Sequence, residues 1–160
     1  MVDINTSAGT SAISPYGRLA LAWVMAVVAA VTTLYWLTWF VIPGGRDLLA
    51  VLPHNSGYIS FENAFPIADG WMALCGVFAA THLFRNKPSA IPWLFMAGSA
   101  GMYLGGMDIL YDIENNIYGL LTQNPGSVAT EMAINVATVV ISLVTLWWAN
   151  KHRSWRDTLG

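Results

Sequence analysis

Cysteine is almost missing from this 160-residue chain: Cys75 stands alone. A single thiol excludes an intramolecular disulfide, a CxxC redox pair and any zinc site built on cysteines, and Cys75 reads as a small packed apolar residue. Charge is scarce as well. Lys, Arg, Asp and Glu make up 10% of the residues, against roughly 25% in ordinary soluble domains. No basic excess exists either: seven Lys and Arg face nine Asp and Glu, for a net charge of −2. A pI near 5.8 gives a nucleic-acid partner no electrostatic support. The chain also lacks a nucleophile set beside a base, a phosphate-cradling glycine loop and a redox motif, so no cofactor is expected.

What the chain has in abundance is hydrocarbon. Hydrophobic residues are 56% of the total, and the mean hydropathy is +0.52. Four apolar segments, at about 18–42, 66–84, 89–112 and 127–150, approach or exceed the roughly 20 helical residues that cross a 30 Å hydrocarbon core. Backbone groups cannot go unpaired in lipid, so each segment reads as a helix. The expected fold is therefore all-α: a polytopic membrane protein, a four-transmembrane-helix bundle forming one domain over 1–160, with the lipid bilayer as its first partner. The opening segment is too long for a signal-peptide core and no small-residue cleavage site follows it, so it reads as a retained span.

The few cations orient the spans. Arg18 precedes the first, Arg85 and Lys87 lie between the second and third, and Lys151, Arg153 and Arg156 follow the fourth, whereas Arg46 lies on the opposite side. The positive-inside rule then places both termini in the cytoplasm, N-in and C-in, in a plasma membrane of bacterial type. Tryptophan, which favours the headgroup level, agrees: Trp36, Trp39 and Trp71 fall at outer ends, Trp23, Trp93, Trp147 and Trp148 at inner ends. Between the first two spans runs a long outer loop, 43–65, whose apolar pieces LLAVL and YISF predict a flap lying on the bundle mouth rather than a solvated tail.

Carboxylates concentrate in the outer half, at Glu62, Asp69, Asp108, Asp112, Glu114 and Glu131. In the second and fourth spans a helix N-terminus accounts for Asp69 and Glu131 by its dipole, with Asn63 or the residues before Pro66 starting one helix and Ser127 capping the other. The third span runs outward, so the same dipole opposes Asp108 and Asp112 by roughly 0.3 to 1 kcal/mol each. Ionisable groups in membrane helices are tolerated where they face protein, a partner or a water-filled cavity. Helical spacing supports this: Gly101, Gly105, Asp108, Asp112 and Asn115 fall within about 40° of one line. Glu131, Asn135, Thr138, Ser142 and Thr145 make a similar stripe, and Asp69, Ala73, Gly76 and Ala80 a third. If the stripes converge, Asp69, Asp108, Asp112, Asn115, Glu131 and Asn135 line an acidic, amide-rich cup near the outer face. Glu114 points elsewhere, toward interfacial water. Glu62, Tyr58 and His54 could reach the cup from the loop.

Clustered carboxylates cannot all ionise cheaply; they call for a proton or a cation. Oxygen donors suit hard ions, although no calcium-loop spacing is present and the identity of any metal stays open. A cationic organic ligand could be enclosed by Trp36, Trp39 or Trp71. The expected function is thus binding of a proton, a cation or a small cationic or lipid-like ligand without covalent chemistry. One alternative is an accessory subunit of a membrane complex, forming a homo-oligomer or joining a partner through the Gly101–Gly105 GxxxG spacing. Another is an intramembrane acid–base enzyme, by analogy of fold with small sterol isomerases, with Asp108 and Glu131 as the catalytic pair.

Overall fold

The computed structural model describes residues 14–155, all of whose regular structure is helical; Arg156 lies outside them. The order is α1 (Pro15–Val41), α2 (Gly45–Leu49), α3 (Ser56–Glu62), α4 (Pro66–Phe84), α5 (Ala90–Glu114), a 3₁₀ turn (Tyr118–Thr122) and α6 (Pro125–Lys151). Among the described residues there is no strand. Three stretches are long and apolar enough to cross a membrane: Pro15–Val41, Ser56–Phe84 and Pro125–Lys151. Helix α5 has the length but is diluted by Gly98, Gly101, Gly105, Gly106, Asp108 and Asp112. Large apolar side chains, among them Val31, Leu34, Phe40, Val140 and Leu143, lie exposed along the long helices. Surfaces of this kind belong in a lipid bilayer.

Proline starts α1, α4 and α6, where its missing N–H costs nothing. For α6 this moves the start ahead of the expected Ser127 cap: Pro125 leads, Asn124 takes the cap position, and Ser127 lies inside the first turn. Helices α4 and α5 both stop at an asparagine with positive φ, Asn86 at 53° and Asn116 at 52°. Behind each asparagine the next amide reaches back across the helix end, Lys87 N to His82 O and Ile117 N to Asp112 O, both at 2.9 Å. This left-handed cap satisfies carbonyls that would otherwise be orphaned. The Arg18 guanidinium donates to the Leu83 and Phe84 carbonyls, fixing the start of α1 against the end of α4.

The four long helices pack in chain order: α1 on α4, α4 on α5 and α5 on α6. Small residues make this possible. Ala73, Gly76 and Ala80 on α4 are buried, as the stripe predicts. On α5, a Cβ at Gly98 would stand 2.8 Å from Leu146 Cγ, one at Gly105 would stand 3.1 Å from Val139 Cγ2, and one at Gly101 would collide with the Ser142 hydroxyl. The glycine face expected to join a partner through Gly101 and Gly105 is therefore taken by the chain's own α6. The cause is simple: close helix approach needs small residues whichever helix approaches, and the hairpin neighbour is already at hand.

Two apolar cores sit at opposite ends. One gathers Leu21, Met25, Ala79, Leu83, Leu94 and Trp148 near the ends expected to be cytoplasmic. The other gathers Trp39, Ala50, Val51, Tyr58, Ile117 and Val128. The second core explains the 43–65 segment: it folds into α2 and α3, and its apolar residues close over that end of the helices as a cap. Asn55 starts α3 by accepting from Tyr58 N at 3.0 Å. Helices α1 and α6 do not pack extensively on one another, and a groove runs between them.

Candidate functional site

Beneath the cap lies a cavity of about 130 Å³ lined by Tyr35 and Trp36 of α1, Glu62 of α3, Asp69 of α4, Asp108 of α5 and Glu131 of α6. Each long helix and the cap thus contributes a polar group to one space. Periodicity accounts for the arrangement: the faces that carry Gly76, Gly105 and Ser142 into close packing also carry Asp69, Asp108 and Glu131 inward further along the same stripes. Among the described residues no Lys, Arg or His lines the cavity. Arg46, the one cation expected on this side, instead stands over the Trp39 and Phe40 rings, 5.8 Å from each centroid.

Asp69 accepts a hydrogen bond from Trp36 Nε1 at 2.8 Å and lies in the first turn of α4, so the N-terminal dipole also supports it. Glu131 has no such support. With α6 starting at Pro125, it falls beyond the first turn, where the dipole has faded. Glu62 is 7% exposed and ends α3 directly over the cavity.

Asp112 and Asn135 form a separate unit. They are 2% and 1% exposed, and Asn135 Nδ2 donates to Asp112 Oδ2 at 2.8 Å and to the Tyr118 hydroxyl at 3.1 Å. Burial holds the Tyr118 phenol above its ordinary pKa, so it remains a neutral hydroxyl. This buried knot ties α5, the 3₁₀ turn and α6 together, and neither Asp112 nor Asn135 lines the acid cavity. Asn115 stands apart altogether: it is exposed and donates to the Tyr111 carbonyl of its own helix at 2.9 Å. Continuing the α5 stripe to position 115 overran the helix, which ends at Glu114. Glu114 is exposed, as expected, and so is His54.

Glu62 and Tyr35 are the members that the periodicity of the long spans missed. Tyr35 had a usable signal, because Thr32, Tyr35 and Trp36 stand at i, i+3 and i+4 on one face of a largely apolar helix and all three line the cavity. Glu62 depended on how the loop folds.

Two further cavities adjoin the first. One of about 370 Å³ shares Tyr35, Glu131 and Ile134 with it and is walled by Asn124, Ser127 and Thr130 at the start of α6. The other, about 230 Å³, is the α1/α6 groove, which shares Val31, Thr32, Met72, Ile134 and Thr138. The acid cavity therefore lies between a mixed polar and apolar space and an apolar groove. Among the described residues no three His, Cys, Asp or Glu side chains group closely enough to hold a metal ion. Compared with protein-family models, with curated proteins and with solved structures, the chain matches none.

Proposed function

We propose that this is a four-span membrane protein, a bundle of α1, α4, α5 and α6 with both termini cytoplasmic, that binds a proton or an organic cation in the acid-lined cavity near its outer face without covalent chemistry. The observation that carries the reading is the lining itself: Glu62, Asp69, Asp108 and Glu131 around about 130 Å³, with no basic side chain beside them among the described residues. Carboxylates in such a space need positive charge from outside the chain. Because no three of them come together as a metal-ligand set, a proton or a cation of several atoms suits the site better than a compact metal ion. Trp36 and Tyr35 offer ring faces for the same cation. The orientation is supported by Arg18, Arg85, Lys87, Lys151 and Arg153 at the helix ends remote from the cavity.

One alternative keeps a specific footing. Asp108 and Glu131 line the same cavity, which an acid–base enzyme using one as proton donor and the other as acceptor would require.

The binding reading is tested by thermal unfolding of the purified protein in neutral-lipid nanodiscs against pH and against butylammonium. A bound cation raises the melting temperature as the logarithm of its concentration over Kd. Asp108→Asn is expected to abolish the butylammonium shift and to raise the melting temperature of the unliganded protein. Identical pH and cation responses in native and variant protein would falsify the reading.

A further inference from the structure

The groove between α1 and α6 adds a shape to the cation. Its walls are Met25, Val28 and Val31 on one side and Ile134, Ala137 and Ile141 on the other, over a floor that includes Gly76 and Gly98. Val31, Ile134 and Ala137 are exposed, so the groove opens sideways toward the surroundings of the helices. At its outer end it adjoins the acid cavity through Thr32 and Thr138. At its inner end lies Thr145, 1% exposed, whose hydroxyl has no hydrogen-bond partner among the described residues. From Glu131 to Thr145 the rise along α6 is about 21 Å.

We propose that the groove and the acid cavity together hold one amphiphilic amine, its ammonium head among Glu62, Asp69, Asp108 and Glu131 and its hydrocarbon body between α1 and α6. The proposal rests on the cation-binding reading above and names the class of cation. Charge complementarity selects the head. Four carboxylates with no Lys, Arg or His beside them among the described residues favour an amine and oppose any phosphate-bearing headgroup, which would bring further negative charge into the same space. Carboxylates spread around a cavity, rather than grouped as metal ligands, fit the several donors of an ammonium group. The groove selects the body, since a hydrated small ion gains nothing from a long apolar trough, whereas a hydrocarbon chain matches its shape and makes van der Waals contact along the whole of it. Thr145 adds a refinement: a hydrogen-bonding atom at the far end of the body satisfies a hydroxyl that the chain leaves unpaired.

The test uses the full chain in phosphatidylcholine nanodiscs and measures saturable binding above that of protein-free discs. Dodecylammonium is expected to bind one per protomer, and dodecanol not to saturate. Ala137 lines the groove but is itself exposed, so Ala137→Phe fills the trough without disturbing a core. It is expected to weaken dodecylammonium by about tenfold to a hundredfold and to leave the butylammonium melting shift as in the native chain. Asp108→Asn with Glu131→Gln is expected to abolish both responses. With 12-hydroxydodecylammonium the native chain should bind several-fold more tightly than with dodecylammonium, and Thr145→Val should erase that preference. Dodecylammonium binding unaffected by Ala137→Phe overturns the amphiphile proposal while a persisting butylammonium response keeps the acid cavity as a cation site. No response to either amine removes both readings. Saturable dodecanol binding, or displacement of dodecylammonium by phosphatidylethanolamine discs, would assign the groove to uncharged or phosphate-bearing lipid and overturn the choice of head.

Discussion

At the scale of single residues, carboxylates of the same chemistry are handled in two ways. Asp112 is held by the Asn135 amide in a buried knot, whereas Asp108 and Glu131 face a cavity. The difference predicts opposite responses to neutralisation. Removing a donor from the knot leaves a buried carboxylate under-satisfied, so Asn135→Leu should cost about 1.5 to 3 kcal/mol in stability, read from unfolding in mixed micelles. Replacing both members, Asp112→Leu with Asn135→Leu, should recover most of that loss, because the uncompensated group has gone as well. A double variant as unstable as the sum of the singles would show that the knot is not a coupled unit. Asp108→Asn, by contrast, should stabilise the chain. Helical periodicity puts Asp108 and Asp112 on the same stripe, and only their partners separate them.

At the scale of the element, the α5/α6 hairpin is governed by which glycines meet α6. Gly101 faces Ser142 and Met72, while Gly106, five residues on, meets nothing within 4 Å. Gly101→Leu should therefore push the helices apart and destabilise the chain by about 1 to 3 kcal/mol. Gly106→Ala should gain up to about 1 kcal/mol from the better helix former. Melting temperatures of the two variants in the same nanodiscs check both signs; a destabilising Gly106→Ala would place that face in contact with a partner. Periodicity at 100° per residue made the packing face of α5 legible in advance. It could not identify the neighbour, because a glycine face reads the same whether the approaching helix belongs to the same chain or another.

At the scale of the whole molecule, the two apolar cores hold the ends and leave the space between them to the cavities. The cap over the acid cavity is built from a segment that reads as loop, yet Val51 and Tyr58 are buried in it. If the bundle crosses the membrane four times, His54 in the cap and Ser89 before α5 lie on opposite sides, and both are exposed. In a Cys75→Ala background, His54→Cys should react with an impermeant maleimide in intact cells, and Ser89→Cys only after permeabilisation. Labelling of both from the same side would refute the four-span topology.

Hydropathy alone determined that this chain is helical and belongs in a bilayer, because in lipid a backbone must satisfy its own hydrogen bonds, and composition over some twenty residues suffices to say where. The same periodicity put Asp69, Asp108 and Glu131 on inward stripes. Tertiary structure decided which of the polar residues share a space: it added Glu62 and Tyr35, diverted Asp112 and Asn135 into a knot, and left Asn115 outside. Those outcomes depend on the rotation of each helix about its axis and on how the 43–65 segment folds back. Both are set by contacts between residues far apart in the chain, which no local pattern encodes.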